Sequence, residues 1–140
     1  EEVQAAMHGA GIPTRDVVVG RGGNTLGWCF SATQPIVGAS SRSVWKLRLG
    51  IEELLEHGRI SGLDLSAVVG NFTHTAMVRR ELLALLSDTY RFIELYEGKQ
   101  AELWPSVRRG LWWVRSLIHL AQRNLGARWS DAVHVFDASW

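Results

Sequence analysis

Ile60–His74, with the sequence ISGLDLSAVVGNFTH, is the stretch whose reading decides the fold. Ser61 and Asp64 stand three apart, the spacing of an N-terminal capping box with a shorter acid. Beyond them Leu65, Val68, Val69, Phe72 and Ala76 share one stripe of a helical wheel, so this side faces a core. The opposite side carries Ala67, Gly70, Asn71 and His74, small or polar and uncharged. Glycine inside a helix costs about 1 kcal/mol relative to alanine. Two readings of Gly70 stand: a tolerated glycine on a solvated face, or a place where something approaches the helix backbone. Gly70 and His74 lie four apart, one turn above the other, and that face reads as a contact surface rather than a structural one.

Outward from this helix, the hydrophobic period divides the chain. Upstream, Ser40 opens a helix whose stripe is Val44, Leu47, Ile51, Leu54 and Leu55, ending at His57-Gly58. Before it the pattern is that of short strands: Asp16–Val19, Leu26–Phe30 and Pro35–Val37. Gly27 inside a strand predicts a bulge or a close backbone approach. Arg21-Gly-Gly-Asn24 reads as a turn, too short and without the Lys-Ser/Thr that a phosphate-binding loop needs. Glu1–Met7 reads as the end of an amphipathic helix closed by Gly9 and Gly11.

Downstream, a third helix is predicted from about Val78 to Tyr96, with Leu82, Leu85, Leu86, Thr89, Phe92, Ile93 and Tyr96 inward. Pro105 starts a fourth, with Val107, Leu111, Val114, Leu117, Ile118, Ala121 and Leu125 as its core face. Arg108, Arg109, Arg115, Arg123 and His119 lie across from that face, around Trp112. The chain ends in an alternating stretch, Val133–Trp140, read as a strand. The fold class is therefore α+β, mainly α: a small β element, a bundle of three or four helices, and a C-terminal strand.

Net charge is only +1, but it is unevenly spread. Residues 105–130 hold five Arg and no acid, whereas nine acids fall between Glu52 and Glu102. A basic stripe around an exposed aromatic is what nucleic-acid backbones select, and it is equally the look of a solvated helix face. Seven Trp in 140 residues is a high count. The single Cys29 excludes an internal disulfide and fits a reducing compartment. Five His and one Cys offer no metal-ligand spacing. No apolar run approaches the roughly 18 residues of a membrane span, and nothing reads as a signal peptide. Asp137, at the end of the last strand, suits a metal ligand or a turn former. With no initial Met and a strand in mid-course at its end, the chain reads as a piece of a longer polypeptide.

In order, these landmarks resemble a retroelement (retrotransposon) reverse transcriptase, from the end of the palm to the start of ribonuclease H. Leu26-Gly27-Trp28 is similar to the Leu-Gly strand of the primer grip. Val44-Trp-Lys-Leu47 is like the first helix after the palm, and Leu65–His74 looks like the thumb helix that tracks the minor groove. Leu103-Trp-Pro-Ser-Val-Arg-Arg109 and Leu111-Trp-Trp113 resemble the connecting helix, and Val135-Phe-Asp137-Ala-Ser139 the first ribonuclease H strand. The resemblance implies three parts: residues 1–39 as the palm end, 40–130 as thumb and connection, and 131–140 as the start of ribonuclease H.

It also implies a parent that is an RNA-directed DNA polymerase using Mg²⁺, with ribonuclease H activity, working inside the cell in cytoplasm or nucleus. The polymerase acids would lie upstream of Glu1. Asp137 would be the one ribonuclease H acid and metal ligand here, in an incomplete site, so no Mg²⁺ and no catalysis are expected on this stretch itself. Its partners would be an RNA–DNA hybrid or template–primer duplex and the rest of the polymerase chain, with no membrane. Gly27, Trp28, Gly70, Asn71, His74, Arg108, Arg109, Trp112, Arg115 and Arg123 would touch nucleic acid. Two departures stand out: related thumb helices often carry Trp where this chain has His74, and Lys where it has Arg21. A helical protein-interaction module, docking a partner through exposed Trp, is the other reading.

Overall fold

In the computed structural model, residues 2–12, 20, 22–128 and 130–131 are described. The fold is α+β and mainly α. Helix α1 (Glu2–Gly9) has all its described side chains exposed and adds nothing to the core. Strands β1 (Gly23–Thr25), β2 (Trp28–Phe30) and β3 (Ile36–Ala39) form an antiparallel meander. Helix α2 (Ser41–His57) follows, then β4 (Arg59–Ser61) and α3 (Gly62–Ala76). A 3-10 segment (Arg80–Leu86) leads into α4 (Ser87–Leu95), β5 (Gln100–Glu102) and α5 (Pro105–Leu117). A second 3-10 turn (Ile118–Leu120) ends in β6 (Gln122–Asn124).

The caps are those the sequence announces. Ser40 accepts from the Ser43 N–H at 3.2 Å, and α2 ends on the left-handed Gly58, whose N–H reaches the Leu54 carbonyl. Ser61 accepts from the Asp64 N–H at 3.1 Å and donates its hydroxyl to the Asp64 carboxylate at 2.6 Å. Both ends of α2 and the start of α3 are thus fixed by local chemistry before packing begins. Packing then joins α2 to α3 and α5, and α4 to α3 and α5. Phe72, Phe92, Ile51, Leu65, Leu86 and Leu111 are sealed at the centre. Two glycines let backbones meet there. A Cβ on Gly110 would stand 2.6 Å from the Leu85 carbonyl oxygen, and Gly62 is pressed against the end of α4.

Four expectations are corrected. The hairpin turn is at Leu26-Gly27, not within a strand: both residues have positive φ, 49° and 82°, as a tight type I′ loop demands. Asn24, expected in a turn, pairs instead with Cys29 in β1–β2. The helix expected from Val78 to Tyr96 is 3-10 until Leu86, because the Leu85 backbone sits against Gly110 of α5. A 3-10 turn keeps residues three apart aligned, so the Leu82/Leu85 pattern serves either helix.

The fourth helix stops at Leu117 rather than Leu125. Ile118 and Ala121 remain buried as expected, but Leu125 is 60% exposed. Gln122–Asn124 instead fill the open edge of β3, with Val37 opposite Arg123. Unpaired strand edges carry unsatisfied backbone groups, and that demand outweighs the helical period here. The final sheet order is β1-β2-β3-β6, and β4 pairs with β5 in a second, two-stranded sheet. The strands expected at Asp16–Val19 and Val133–Trp140, with Asp137, lie outside the described residues.

Candidate nucleic-acid interface

The loop Leu26-Gly27 swings the hairpin over the C-terminal half of α3. Trp28 stacks on His74, ring centres 4.9 Å apart and planes 20° from parallel. Gly27 is required twice over at this point. Its φ of 82° is one that side chains rarely adopt, and a Cβ there would stand 3.0 Å from His74 Cε1. The hairpin, α2 and α3 together enclose an open groove of about 370 Å³. Gly27, Ser43, Lys46, Gly50, Asn71 and His74 line it.

Polar groups in the groove are partly committed to the scaffold. The Asn71 amide donates back to the Ala67 carbonyl at 2.9 Å, and the Thr75 hydroxyl donates to the Asn71 carbonyl at 2.9 Å. Lys46 is exposed and makes no ion pair among the described residues, which leaves its ammonium for an anion. Gly70 is exposed, and a Cβ added there would meet nothing within 4 Å. No part of the described chain therefore uses the absence of its side chain.

Of the residues singled out by sequence, Gly27, Trp28, Asn71 and His74 come together, with Gly70 one turn before His74. The arginines do not form one helical face. Arg108 donates to the Leu55 carbonyl at 2.7 Å, over the C-terminal end of α2, where the helix dipole favours a cation. Arg115 pairs with Glu52 of α2. Both guanidinium groups clamp α5 to α2. Arg109 and Trp112 stay on the outer face of α5, where Trp112 meets Trp113 edge-to-face at 4.9 Å. Arg123 lies on β6, beside Arg79.

His74 is also a structural residue, contrary to the reading of its face as purely a contact surface. Spacing along α3 shows which face it occupies but not that a tryptophan from a distant hairpin covers it. His74→Ala is expected to cost about 0.5–1.5 kcal/mol in urea unfolding, the range for an aromatic pair. The same variant should increase the exposure of Trp28 to an aqueous fluorescence quencher.

Ser43, Lys46 and Gly50 are site residues that the sequence reading passed over. Their signal was present: they stand at i, i+3 and i+7 on α2, a small and polar stripe matching that of α3. Among the described residues no three His, Cys, Asp or Glu side chains gather into a metal-binding group. No described helix is long and apolar enough to cross a membrane. No family model, curated protein or solved structure matches the chain.

Proposed function

We propose that this chain is the template–primer-holding part of a retroelement reverse transcriptase, contributing grip rather than chemistry. The observation that carries the reading is the groove. Gly27 of the hairpin and Asn71 and His74 of α3 line one concavity together with Lys46, and Trp28 stacks on His74. An RNA–DNA hybrid presents a wide, shallow minor groove that displays sugars rather than sequence. Gly70 lets the α3 backbone come close to that surface, while Lys46 meets a phosphate and Trp28–His74 supplies a rigid apolar wall. A helix face without long side chains slides along such a duplex without reading it. On this reading the Mg²⁺ of the complete enzyme belongs to acids outside the described residues, and the work is done in cytoplasm or nucleus.

Gly70 provides the test. Gly70→Ala should raise stability by up to about 1 kcal/mol, from helix propensity alone. Gly70→Leu should keep the fold, since open space surrounds the site, yet weaken binding of a labelled RNA–DNA hybrid measured by anisotropy. Undiminished hybrid binding by Gly70→Leu would sink the assignment.

One observation favours the other reading, a protein-docking module. Trp112 and Trp113 are 48% and 44% exposed side by side on α5, and exposed aromatics concentrate at protein interfaces. Salt separates the two. Hybrid binding through phosphates weakens steeply as salt rises, because counterions are released, whereas aromatic docking is much less sensitive.

A further inference from the structure

The flank of α2 turned away from the groove carries a different chemistry. Trp45 and Arg48 form one wall of a cleft of about 190 Å³, faced by His119 and Gln122. Gln122 also lines an open depression of about 470 Å³ beside β6, which Arg79 and Arg123 line as well. Gln122 borders both hollows, which thus adjoin along β6 as a track. Its charges are Arg48, Arg79 and Arg123 against the single carboxylate of Glu81. Neither Arg79 nor Arg123 has an ion pair among the described residues. Trp45 is 57% exposed, with the Arg48 guanidinium carbon 5.3 Å from its ring centre.

We propose that this track along β6 binds a single-stranded segment of nucleic acid, at a site separate from the α2/α3 groove. Two exposed arginines border one hollow with a single carboxylate, so a phosphate there would gain charge-assisted hydrogen bonds from both. The aromatic decides between strands. Bases in a duplex are stacked on one another, whereas an unpaired base offers its face to a tryptophan. Cations that follow a backbone, interleaved with an aromatic platform, are the arrangement that holds single strands without regard to sequence. An acidic protein would satisfy the arginines but leave Trp45 without a role.

The test uses the full chain and a fluorescein-labelled oligo-dT of about 12 nucleotides, within the span one small site covers. Anisotropy at low salt reports binding, and an RNA–DNA hybrid is run in parallel. Trp45→Ala should lower oligo-dT affinity between about 5- and 150-fold, the loss of one stacked base. Arg79→Glu with Arg123→Glu should also lower it and flatten the salt slope by about 1.4, about 0.7 for each single-strand phosphate contact. Arg79→Lys with Arg123→Lys should retain most of the binding. All these side chains are exposed, so far-UV circular dichroism should match the unaltered chain. Hybrid affinity should be unchanged in Trp45→Ala, and oligo-dT affinity unchanged in Gly70→Leu.

Three results would overturn the proposal: no oligo-dT binding at low salt, full binding by Trp45→Ala, or equal displacement of oligo-dT by poly-glutamate. If Gly70→Leu leaves hybrid binding intact while the Trp45 and Arg variants lose oligo-dT, the groove reading fails and this site stands.

Discussion

Gly62→Ala destabilises the fold by about 1–3 kcal/mol or more, the cost of forcing a methyl into a closed contact. The added Cβ would collide with the Ile93 carbonyl oxygen and stand 2.8 Å from Tyr96 C and 2.9 Å from Glu97 N. All three are backbone atoms, so no side chain can swing away. The contact is close because two helix ends satisfy each other. The Gly62 and Leu63 N–H groups, without partners inside their own helix, donate to the Tyr96 and Glu97 carbonyls at 2.7 and 2.8 Å. Separating the helices to admit the methyl stretches both bonds. Gly62 does not have a positive φ, so alanine is free to adopt the backbone and the whole penalty comes from packing. Urea unfolding followed by circular dichroism measures it. Stability equal to the parent chain would mean that α3 and α4 do not dock in this way. Gly70→Ala is the internal control, since it adds the same methyl where nothing stands in its path.

A larger loss, about 3–5 kcal/mol, is expected for Phe92→Ala. Phe92 is fully buried at the centre of the bundle. Its ring lies 4.8 Å from that of Tyr96 and meets Trp104 edge-on at 5.5 Å. Truncation removes the apolar contacts and leaves a hole that Tyr96 and Trp104, at the end of α4 and the start of α5, fill only partly. The midpoint of urea unfolding should fall with little change in its steepness. A loss under about 1 kcal/mol would show that the aromatic cluster collapses freely and is not a fixed part of the core. For a domain whose total stability is about 5–15 kcal/mol, Phe92→Ala takes a large share.

What was legible in the sequence follows from the range over which each signal acts. Ser40, Gly58, Ser61 with Asp64, and Pro105 act within one helical turn, and each marks the boundary it announces. The stripes Leu65–Phe72 and Val107–Val114 report burial because the period is a property of the helix itself. Long-range partners escaped. Nothing local in Gln122–Asn124 says that β3 will have an open edge, so helical periodicity carried the reading too far. Leu26-Gly27 reads locally as strand, since leucine seldom occupies a positive φ, and the pairing of Thr25 with Trp28 forces it there. The site shows the same division. Gly27, Trp28, Asn71 and His74 were each recognisable, whereas the stack joining hairpin to helix, and the commitment of Arg108 and Arg115 to α2, required the tertiary contacts.

The pairing of β6 with β3 bears on how the protein is made. A ribosome delivers Ile36–Ala39 early and Gln122–Asn124 only after every helix of the bundle has emerged. Throughout that interval one edge of β3 is a short, uncharged, apolar ribbon with open N–H and C=O groups, the kind of template on which nascent chains stick to one another. Closing it also brings together segments from opposite ends of the chain, a loop closure that slows folding. Until β6 arrives, that edge of β3 is open to another strand, and its pairing with β6 in the folded chain closes it.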